Sequence, residues 1–164
     1  MPNDVNSPGR LIGMARRSAR LEPMEEIASG SISVQAGLDG DHKGTKFPSR
    51  QITVMSIEAW RLAAIEVGQP HLHWTTRRAN LLVEGVDLPR ARGGVVRIGG
   101  VRLEVTNPTL PCKRMEDACP GLRKALYPDW RGGMTCRVLQ GGDISLRDAV
   151  EVLASPRERV IRLP

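Results

Sequence analysis

The sequence predicts a mainly β protein, a closed β-barrel with a few short helices on its outside. Short runs rich in Val, Ile and Leu recur between Gly and Pro residues, which is typical of strands. One segment has the pattern of a hairpin, and only two segments have helical spacing. Many short strands with a few covering helices favour a barrel or a closed sandwich, because both architectures bury one face of every strand.

Three of the apolar runs predict single strands, at residues 31–36, 51–55 and 79–84. The hairpin is predicted within VVRIGGVRLEV, residues 95–105, where apolar residues alternate with Arg or Glu on both sides of Gly99-Gly100. Paired glycines suit a tight turn, because glycine adopts a positive φ without a clash at Cβ.

A second hairpin is predicted near the end of the chain. Its first strand would run from Met134 to Leu139, its turn would lie at Gly141-Gly142, and its return strand would pass Ile144 and reach Val152. The return strand is less regular than the first, because polar residues interrupt its alternation.

Two helices are predicted. Ser56 can cap a segment whose apolar residues recur at helical spacing, and Gly68 can end it, so the first helix is predicted over Ser56–Val67. Proline suits the first turn of a helix, so a shorter helix is predicted from Pro120 to about Tyr127.

The composition is that of a single globular domain, expected over residues 1–164. Hydrophobic residues make up 40% of the chain and charged residues 26%, which excludes a disordered chain. Residues 1–10 contain no signal-peptide pattern and no later stretch could span a bilayer, so a cytoplasmic protein without a membrane partner is expected. The three cysteines are expected to be free thiols, because that compartment is reducing.

The net charge of +6 predicts an anionic partner, which could be a nucleic acid, a membrane surface or a phosphorylated cofactor. Proteins that read single strands stack bases on aromatic rings. This chain has three Trp, one Tyr and one Phe, which do not cluster in the sequence. Nucleic acid is therefore not an expected partner.

The strongest candidate for chemistry is Cys112, in the segment Leu110-Pro111-Cys112-Lys113-Arg114. Prolines at 108 and 111 predict an irregular, extended loop in which the thiol is accessible. The adjacent cations favour the thiolate, which attacks electrophiles and ligates soft metals. The alternative is an incidental surface cysteine.

The other cysteines and the histidines are weaker candidates. Cys136 has the strand period of a small core residue, whereas Cys119 could be a structural cap or a second thiol near Cys112. The cysteine spacing fits no zinc site. His71 and His73 alternate, as they would on one face of a strand, and solvated histidines are the expected interpretation.

Arg77-Arg78-Ala79-Asn80 directly precedes a predicted strand. Guanidinium groups at such a position can bind phosphate oxygens in a fork while an amide fixes the orientation of the ligand. The alternative is a solvated basic patch, because arginine pairs are common on protein surfaces.

In their order along the chain, several segments resemble the MOSC domain family, named for the C-terminal domain of molybdenum-cofactor sulfurases. The segments are GLDGDHKG, SRQITVMSIEAW, RRANLLVEGVDL, VVRIGGVRLEVTNPTLPCKR and GGMTCRVLQGGDI. The resemblance extends from about residue 11 to residue 153 and implies a β-barrel related to a barrel domain of pyruvate kinase. One departure is Arg147-Asp148, where the family often has Gly-Asp before the last strand.

The resemblance also implies a site. Cys112 matches the family's loop cysteine, which is proposed to carry sulfur as a persulfide or to ligate molybdenum. Arg78 and Asn80 match an Arg-x-Asn element for cofactor binding. The neighbouring pocket segments contribute four further candidates, which are Arg77, Asp41, His42 and Arg114.

The implied cofactor is the molybdenum cofactor, molybdopterin, whose phosphate and anionic dithiolene suit a basic pocket with a thiolate. The implied activity is sulfur transfer, or the reduction of N-hydroxylated substrates with a redox partner protein. The alternative is a non-catalytic sulfur carrier or cofactor-binding module that docks on a cysteine desulfurase or a molybdoenzyme. Pyridoxal phosphate would enter only through that separate desulfurase.

Overall fold

The computed structural model describes residues 8–156 and shows a mainly β fold, as predicted. The strands are β1 (Gly9–Arg16), β2 (Glu25–Glu26), β3 (Ser29–Ser33), β4 (Gly37–Leu38), β5 (Ile52–Ser56), β6 (Leu81–Glu84), β7 (Val95–Ile98), β8 (Val101–Pro108), β9 (Met134–Gln140), β10 (Gly142–Ser145) and β11 (Ala149–Ala154). The α-helices are α1 (Ile57–Glu66), α2 (Lys113–Ala118) and α3 (Leu122–Ala125). Short 3-10 helices occur at Trp74–Arg77 and Pro128–Trp130. The domain prediction over 1–164 includes ends that lie outside the described residues.

Seven strands form a closed barrel, in the order β1, β11, β7, β8, β9, β5, β6 and back to β1. All neighbours in the barrel are antiparallel except β5 and β6, which α1 connects. β2 pairs with the far end of β1, and β10, β3 and β4 form a separate three-stranded sheet. The predicted closed barrel is therefore confirmed.

The alternating sequence of the strands fills the barrel interior. In β8, for example, Val101, Leu103 and Val105 are buried while Arg102 is exposed. One apolar cluster joins all seven barrel strands, and Ile32, Leu38 and Ile144 of the small sheet pack into the same cluster. The small sheet thus extends the core instead of forming a second domain.

A second apolar cluster lies between the barrel wall and the helices, and includes Met55 of β5, Trp60 of α1 and Leu122 of α3. Helix α1 begins as predicted, with the Ser56 hydroxyl accepting a hydrogen bond from the Ala59 amide. The buried residues of this helix are Trp60, Ala63 and Ala64, whereas Leu62, one of the apolar residues at helical spacing, is 53% exposed. None of the helices within residues 8–156 has the length and apolar character needed to cross a bilayer.

The two hairpin predictions have different outcomes. β7 and β8 pair across Gly99-Gly100, which confirms the first hairpin. The second is wrong, because β9 is paired on one edge with β8 and on the other with β5, so neither edge is open to β10. β10 pairs instead with β3. The later part of the predicted return strand is a separate strand, β11, which pairs with β7 and β1.

The turn before β11 forms without the glycine that the family often has there. Arg147 adopts a left-handed φ of 79°, and the Asp148 carboxylate accepts a hydrogen bond from the Ser145 amide at 2.8 Å. The Arg147 amide also donates to the Leu11 carbonyl oxygen at 2.7 Å. These contacts hold the turn, although its conformation is one that favours glycine.

Candidate functional site

Cys112 is an exposed free cysteine at the start of helix α2. The sequence predicted an extended loop through Arg114, but the helix begins already at Lys113, and the Met115 amide donates to the Cys112 carbonyl oxygen at 2.9 Å. Buried Met115 explains the difference, because it anchors this turn in the apolar cluster beneath the helices. The thiol stays accessible, as an exposed thiol at a helix start.

The cysteine lines a small cationic cavity of about 100 Å³, which we call the inner cavity. Five of its lining residues are cationic, and among the described residues no Asp or Glu lines it. The full lining is Arg17, Lys43, Thr53, Arg77, Arg78, Thr109, Cys112, Arg114 and Met115. Such a concentration of positive charge beside a thiol can bind an anion and hold it near the sulfur.

Burial and mutual repulsion show in the pKa values of these cations. Burial lowers the pKa of Arg17, and the neighbouring Arg78 lowers it further. Burial, followed by Arg17, lowers the pKa of Lys43 to about 8. The inner cavity therefore holds cations at an electrostatic cost that a bound anion would relieve.

Arg77 lies in the wall of the inner cavity and fixes its shape. Its side chain is almost fully buried, and burial lowers its pKa to about 10. Its Nε donates to the Gly132 carbonyl oxygen and its Nη2 to the Thr109 carbonyl oxygen, each at 3.0 Å. Arg77 thus ties the segment before Cys112 to the turn before β9, and two of its donor nitrogens serve the fold.

Arg78 faces the inner cavity from a strained backbone. Its φ is 65°, in the left-handed region, and it ends the 3-10 helix that precedes β6. Its Nη2 donates to the carbonyl oxygens of Arg20 and Glu22. Strain of this kind at a cavity wall is typical of functional positions, because only the surrounding structure can hold it.

Asn80, the second residue of the Arg-x-Asn element, lies outside the inner cavity. Its Oδ1 accepts from the Thr53 amide at 3.0 Å, and its Nδ2 donates to the Ala15 carbonyl oxygen at 3.2 Å. The side chain therefore links β1, β5 and the start of β6, and it is 2% exposed. It supports the strands from which Arg17 and Arg78 extend.

Asp41 and His42 lie beside the cavity, in the loop after β4. The Asp41 carboxylate accepts from the amides of Arg17 and Lys43, at 3.1 and 3.3 Å. The His42 amide donates to the Arg17 carbonyl oxygen at 2.8 Å. Asp41 therefore positions two cations, while His42 lines a second cavity next to the first.

Sequence reasoning missed two central residues of the site, Arg17 and Lys43. Arg17 follows β1, and Lys43 belongs to the GLDGDHKG segment of which only Asp41 and His42 were singled out. Both are single cations in a chain with many, so composition gave no signal. Only folding brings them together, because Arg17 follows β1 of the barrel and Lys43 follows β4 of the small sheet.

Three buried polar atoms of the inner cavity have no hydrogen-bond partner within residues 8–156. They are the hydroxyl oxygens of Thr53 and Thr109 and the Nε of Arg78. Buried polar groups are nearly always hydrogen-bonded, because leaving one unpaired costs about 1–3 kcal/mol. The two hydroxyls and the guanidinium N–H can therefore still donate hydrogen bonds to a ligand in the inner cavity, which suits an anion.

The remaining candidates are not part of this cavity. Cys136 is a fully buried core residue, and burial raises the pKa of its thiol far above the usual value. Cys119 is buried at the C-terminal end of α2, so it does not share the surface of Cys112. His71 and His73 are exposed, and the described part of the chain contains no cluster of three His, Cys, Asp or Glu side chains that could hold a metal.

The pKa of Lys43 leads to a testable pH dependence. Because this pKa is lowered to about 8, Lys43 loses its charge as the pH rises through that value. Sulfate binding is expected to weaken about tenfold between pH 7 and pH 9.5, the effect of losing one charge-assisted hydrogen bond. Titration calorimetry on the Cys112→Ser protein measures this without a titrating thiol.

Two variants of that protein serve as controls. Lys43→Arg keeps its charge across this range and should bind sulfate equally well at both pH values. Lys43→Met should bind weakly at both. An unchanged pH dependence in Lys43→Arg would show that another group is responsible; the other ionisable groups acting on Lys43 are Arg17, Asp41, Arg77 and Arg50.

The fold and the site together define a class of protein, a single small barrel that presents one thiol beside a cationic cavity. The family model of the MOSC domain matches residues 39–151, which is more than half of the chain. The chain therefore belongs to the MOSC domain family, as its motifs predicted. This domain is associated with molybdenum-cofactor-related proteins.

Solved structures support the fold. The chain is similar to the YuaD protein from Bacillus subtilis, with a TM-score of 0.71 and 20% identity over 88% of this chain and 94% of that one. It is also similar to YiiM from Geobacillus stearothermophilus (TM-score 0.70, 17% identity, 90% of this chain and 76% of that one) and YiiM from Escherichia coli (TM-score 0.66, 17% identity, 90% and 71%). No curated protein matches the sequence.

Proposed function

We propose that the protein handles the molybdenum cofactor, binding an anionic part of it in the inner cavity and using Cys112 to carry sulfur or to ligate molybdenum. The observation that carries this proposal is the coincidence of an exposed thiol, five cations and three unpartnered buried polar atoms at one cavity. A structural basic patch would have its buried polar atoms already satisfied.

The residues present fit this cofactor. Its phosphate and dithiolene are anionic, and Arg17, Lys43 and Arg78 would hold such groups, while the Thr53 and Thr109 hydroxyls donate the remaining hydrogen bonds. A soft metal prefers thiolate, and the cavity offers Cys112 for that purpose. When bound, the cofactor supplies a redox-active metal that can also accept sulfur.

As a sulfur carrier, Cys112 needs a persulfide donor, such as a cysteine desulfurase that depends on pyridoxal phosphate. The Cys112 thiolate attacks the outer sulfur of the donor persulfide, a new S–S bond forms on Cys112, and the donor leaves as a thiolate. One sulfur atom changes carrier without net oxidation or reduction. The exposed position of the thiol at the start of α2 favours this role, since a partner protein can reach it.

As an enzyme, the protein would reduce an N-hydroxylated base. Cleavage of the N–O bond takes two electrons from a redox partner protein and two protons, and releases water. The cations beside Cys112 would then orient the cofactor, while Arg77 keeps the Thr109 segment in place. This activity requires molybdenum, whereas the carrier role does not.

The test is to purify the protein anaerobically from cells that make the cofactor, and to measure molybdenum content and the mass of bound sulfur. Cys112→Ala should lose the molybdenum, the labile sulfur or both, whereas the matched control Cys119→Ala should keep them. Molybdenum in the wild type favours the enzyme, and a labile persulfide without metal favours the carrier. Equal loading of Cys112→Ala and wild type would contradict the proposal.

A further inference from the structure

A second and larger cavity adjoins the inner cavity, and we call it the outer cavity. Its volume is about 530 Å³, and it shares Arg17, Lys43 and Thr109 with the inner cavity. The complete lining is Arg17, Arg20, His42, Lys43, Lys46, Phe47, Arg50, Thr109 and Thr135. The shared residues make the two cavities neighbouring parts of one surface that leads to Cys112.

The volumes of the two cavities indicate which part of a ligand each could hold. Pockets for small molecules usually have volumes of about 300–1,000 Å³. The inner cavity, at about 100 Å³, is too small for more than the end of such a ligand. A ligand whose end reaches Cys112 must therefore extend outside the inner cavity, and the outer cavity is large enough to hold its remainder.

The charge of the outer cavity exceeds what one phosphate needs. Five of its nine lining residues are Lys or Arg, His42 is a sixth group that can become cationic, and within the described residues no carboxylate belongs to the lining. One phosphate monoester carries about two negative charges near neutral pH. Arg17 and Lys43 also line the inner cavity, so the cations that the outer cavity adds are Arg20, Lys46 and Arg50. Their three charges match a ligand with two phosphates.

An aromatic platform lies in the same cavity. Phe47 is the one phenylalanine of the chain, lines the outer cavity and is 41% exposed. The Arg50 guanidinium lies 4.5 Å from the centre of its ring. A cation and a ring together form a surface on which planar bases stack.

We propose that the outer cavity binds a nucleoside diphosphate, with Arg20 and Lys46 at the phosphates and with Phe47, which Arg50 contacts, under the base. The anion presented to Cys112 is then the end of a larger, nucleotide-containing molecule. This inference rests on the proposed function in that it extends the ligand of the same site, and it names the chemical class of that extension.

The experiment compares GDP, ADP and inorganic pyrophosphate by titration calorimetry at physiological ionic strength. The nucleoside diphosphates should bind about tenfold more tightly than pyrophosphate, because a base stacked on an aromatic ring adds affinity that phosphates alone do not. Phe47→Ala should remove this advantage and leave pyrophosphate binding unchanged. Tyr127→Ala is the matched control, because Tyr127 is an exposed ring outside the cavity, and it should behave as wild type.

Three results would overturn the inference: equal binding of pyrophosphate and nucleoside diphosphates, no binding of either, or tighter binding of a single-stranded RNA oligomer than of GDP. The third would identify the outer cavity as part of a nucleic-acid surface. Cys112→Ala should bind GDP as the wild type does. Failure of the sulfur and molybdenum loading is therefore distinguishable from failure of nucleotide binding.

Discussion

Gly133→Ala is expected to destabilise the barrel by more than about 4 kcal/mol, a large share of the roughly 5–15 kcal/mol that stabilises a typical domain. Gly133 has a φ of 94°, and a Cβ there would collide with the Val54 carbonyl oxygen of β5 and approach Met55 Cβ to 3.2 Å. Val54 cannot retreat, because it is paired with β9 on one side and with β6 on the other. Chemical unfolding or the soluble yield measures the effect.

Gly68→Ala is the matched control. Gly68 also has a positive φ, of 71°, but no atom lies within 4 Å of the position that its Cβ would occupy. The left-handed conformation alone costs about 1–2 kcal/mol for a residue with a Cβ. If both variants lost the same stability, the contact with Val54 would not be the cause, and the turn before β9 would have room to move.

Asn80→Asp is expected to reduce the free energy of unfolding by about 3 kcal/mol at neutral pH. A carboxylate can still accept from the Thr53 amide, but it cannot donate to the Ala15 carbonyl oxygen, and two oxygens would face each other at a buried position. For a domain of this size, that loss lowers Tm by roughly 6–12 °C. Thermal unfolding followed by circular dichroism measures it.

The loss should depend on pH, because only the protonated carboxyl can replace the amide donor. Burial raises the pKa of this new carboxyl in the folded state above its unfolded value of about 4. The stabilising contribution of the protonated carboxyl to the free energy of unfolding is therefore fully present below about pH 4 and is lost as the pH rises through the folded pKa. Asn107→Asp is the control, since Asn107 accepts from the Arg92 Nε and a carboxylate there keeps its partner at neutral pH. A deficit of Asn80→Asp that does not change with pH would contradict the hydrogen-bond explanation.

The barrel could be predicted because its strands carry their burial pattern locally. Alternation in β7 and β8 specifies which side faces the core, and Gly99-Gly100 specifies the turn. The partner of β10 could not be predicted, because pairing depends on which strand edges remain open after the barrel closes. β9 uses both of its edges within the barrel, and the alternation within β10 contains no information about that.

The candidate site was predictable at the level of its thiol and of the neighbouring arginines. The structure places the exposed Cys112 and Arg78 at one cavity, whereas Arg77 and Asn80 make contacts that are distant in sequence. Arg77 binds carbonyl oxygens 32 and 55 residues away, and Asn80 donates to one 65 residues away. Such contacts exist only after folding, so residue type and spacing could not separate groups that support the cavity from groups that face it.

The seam at which the barrel closes is short. Within residues 8–156, β1 and β11 share two register pairs, Gly9–Val150 and Arg10–Ala149, at the beginning of β1, whereas Arg17 and the inner cavity follow the other end of that strand. Eight residues of extended chain place the two ends about 25 Å apart. Transient opening of the seam would therefore let amide hydrogens exchange with solvent there, while the geometry around Cys112 stays intact.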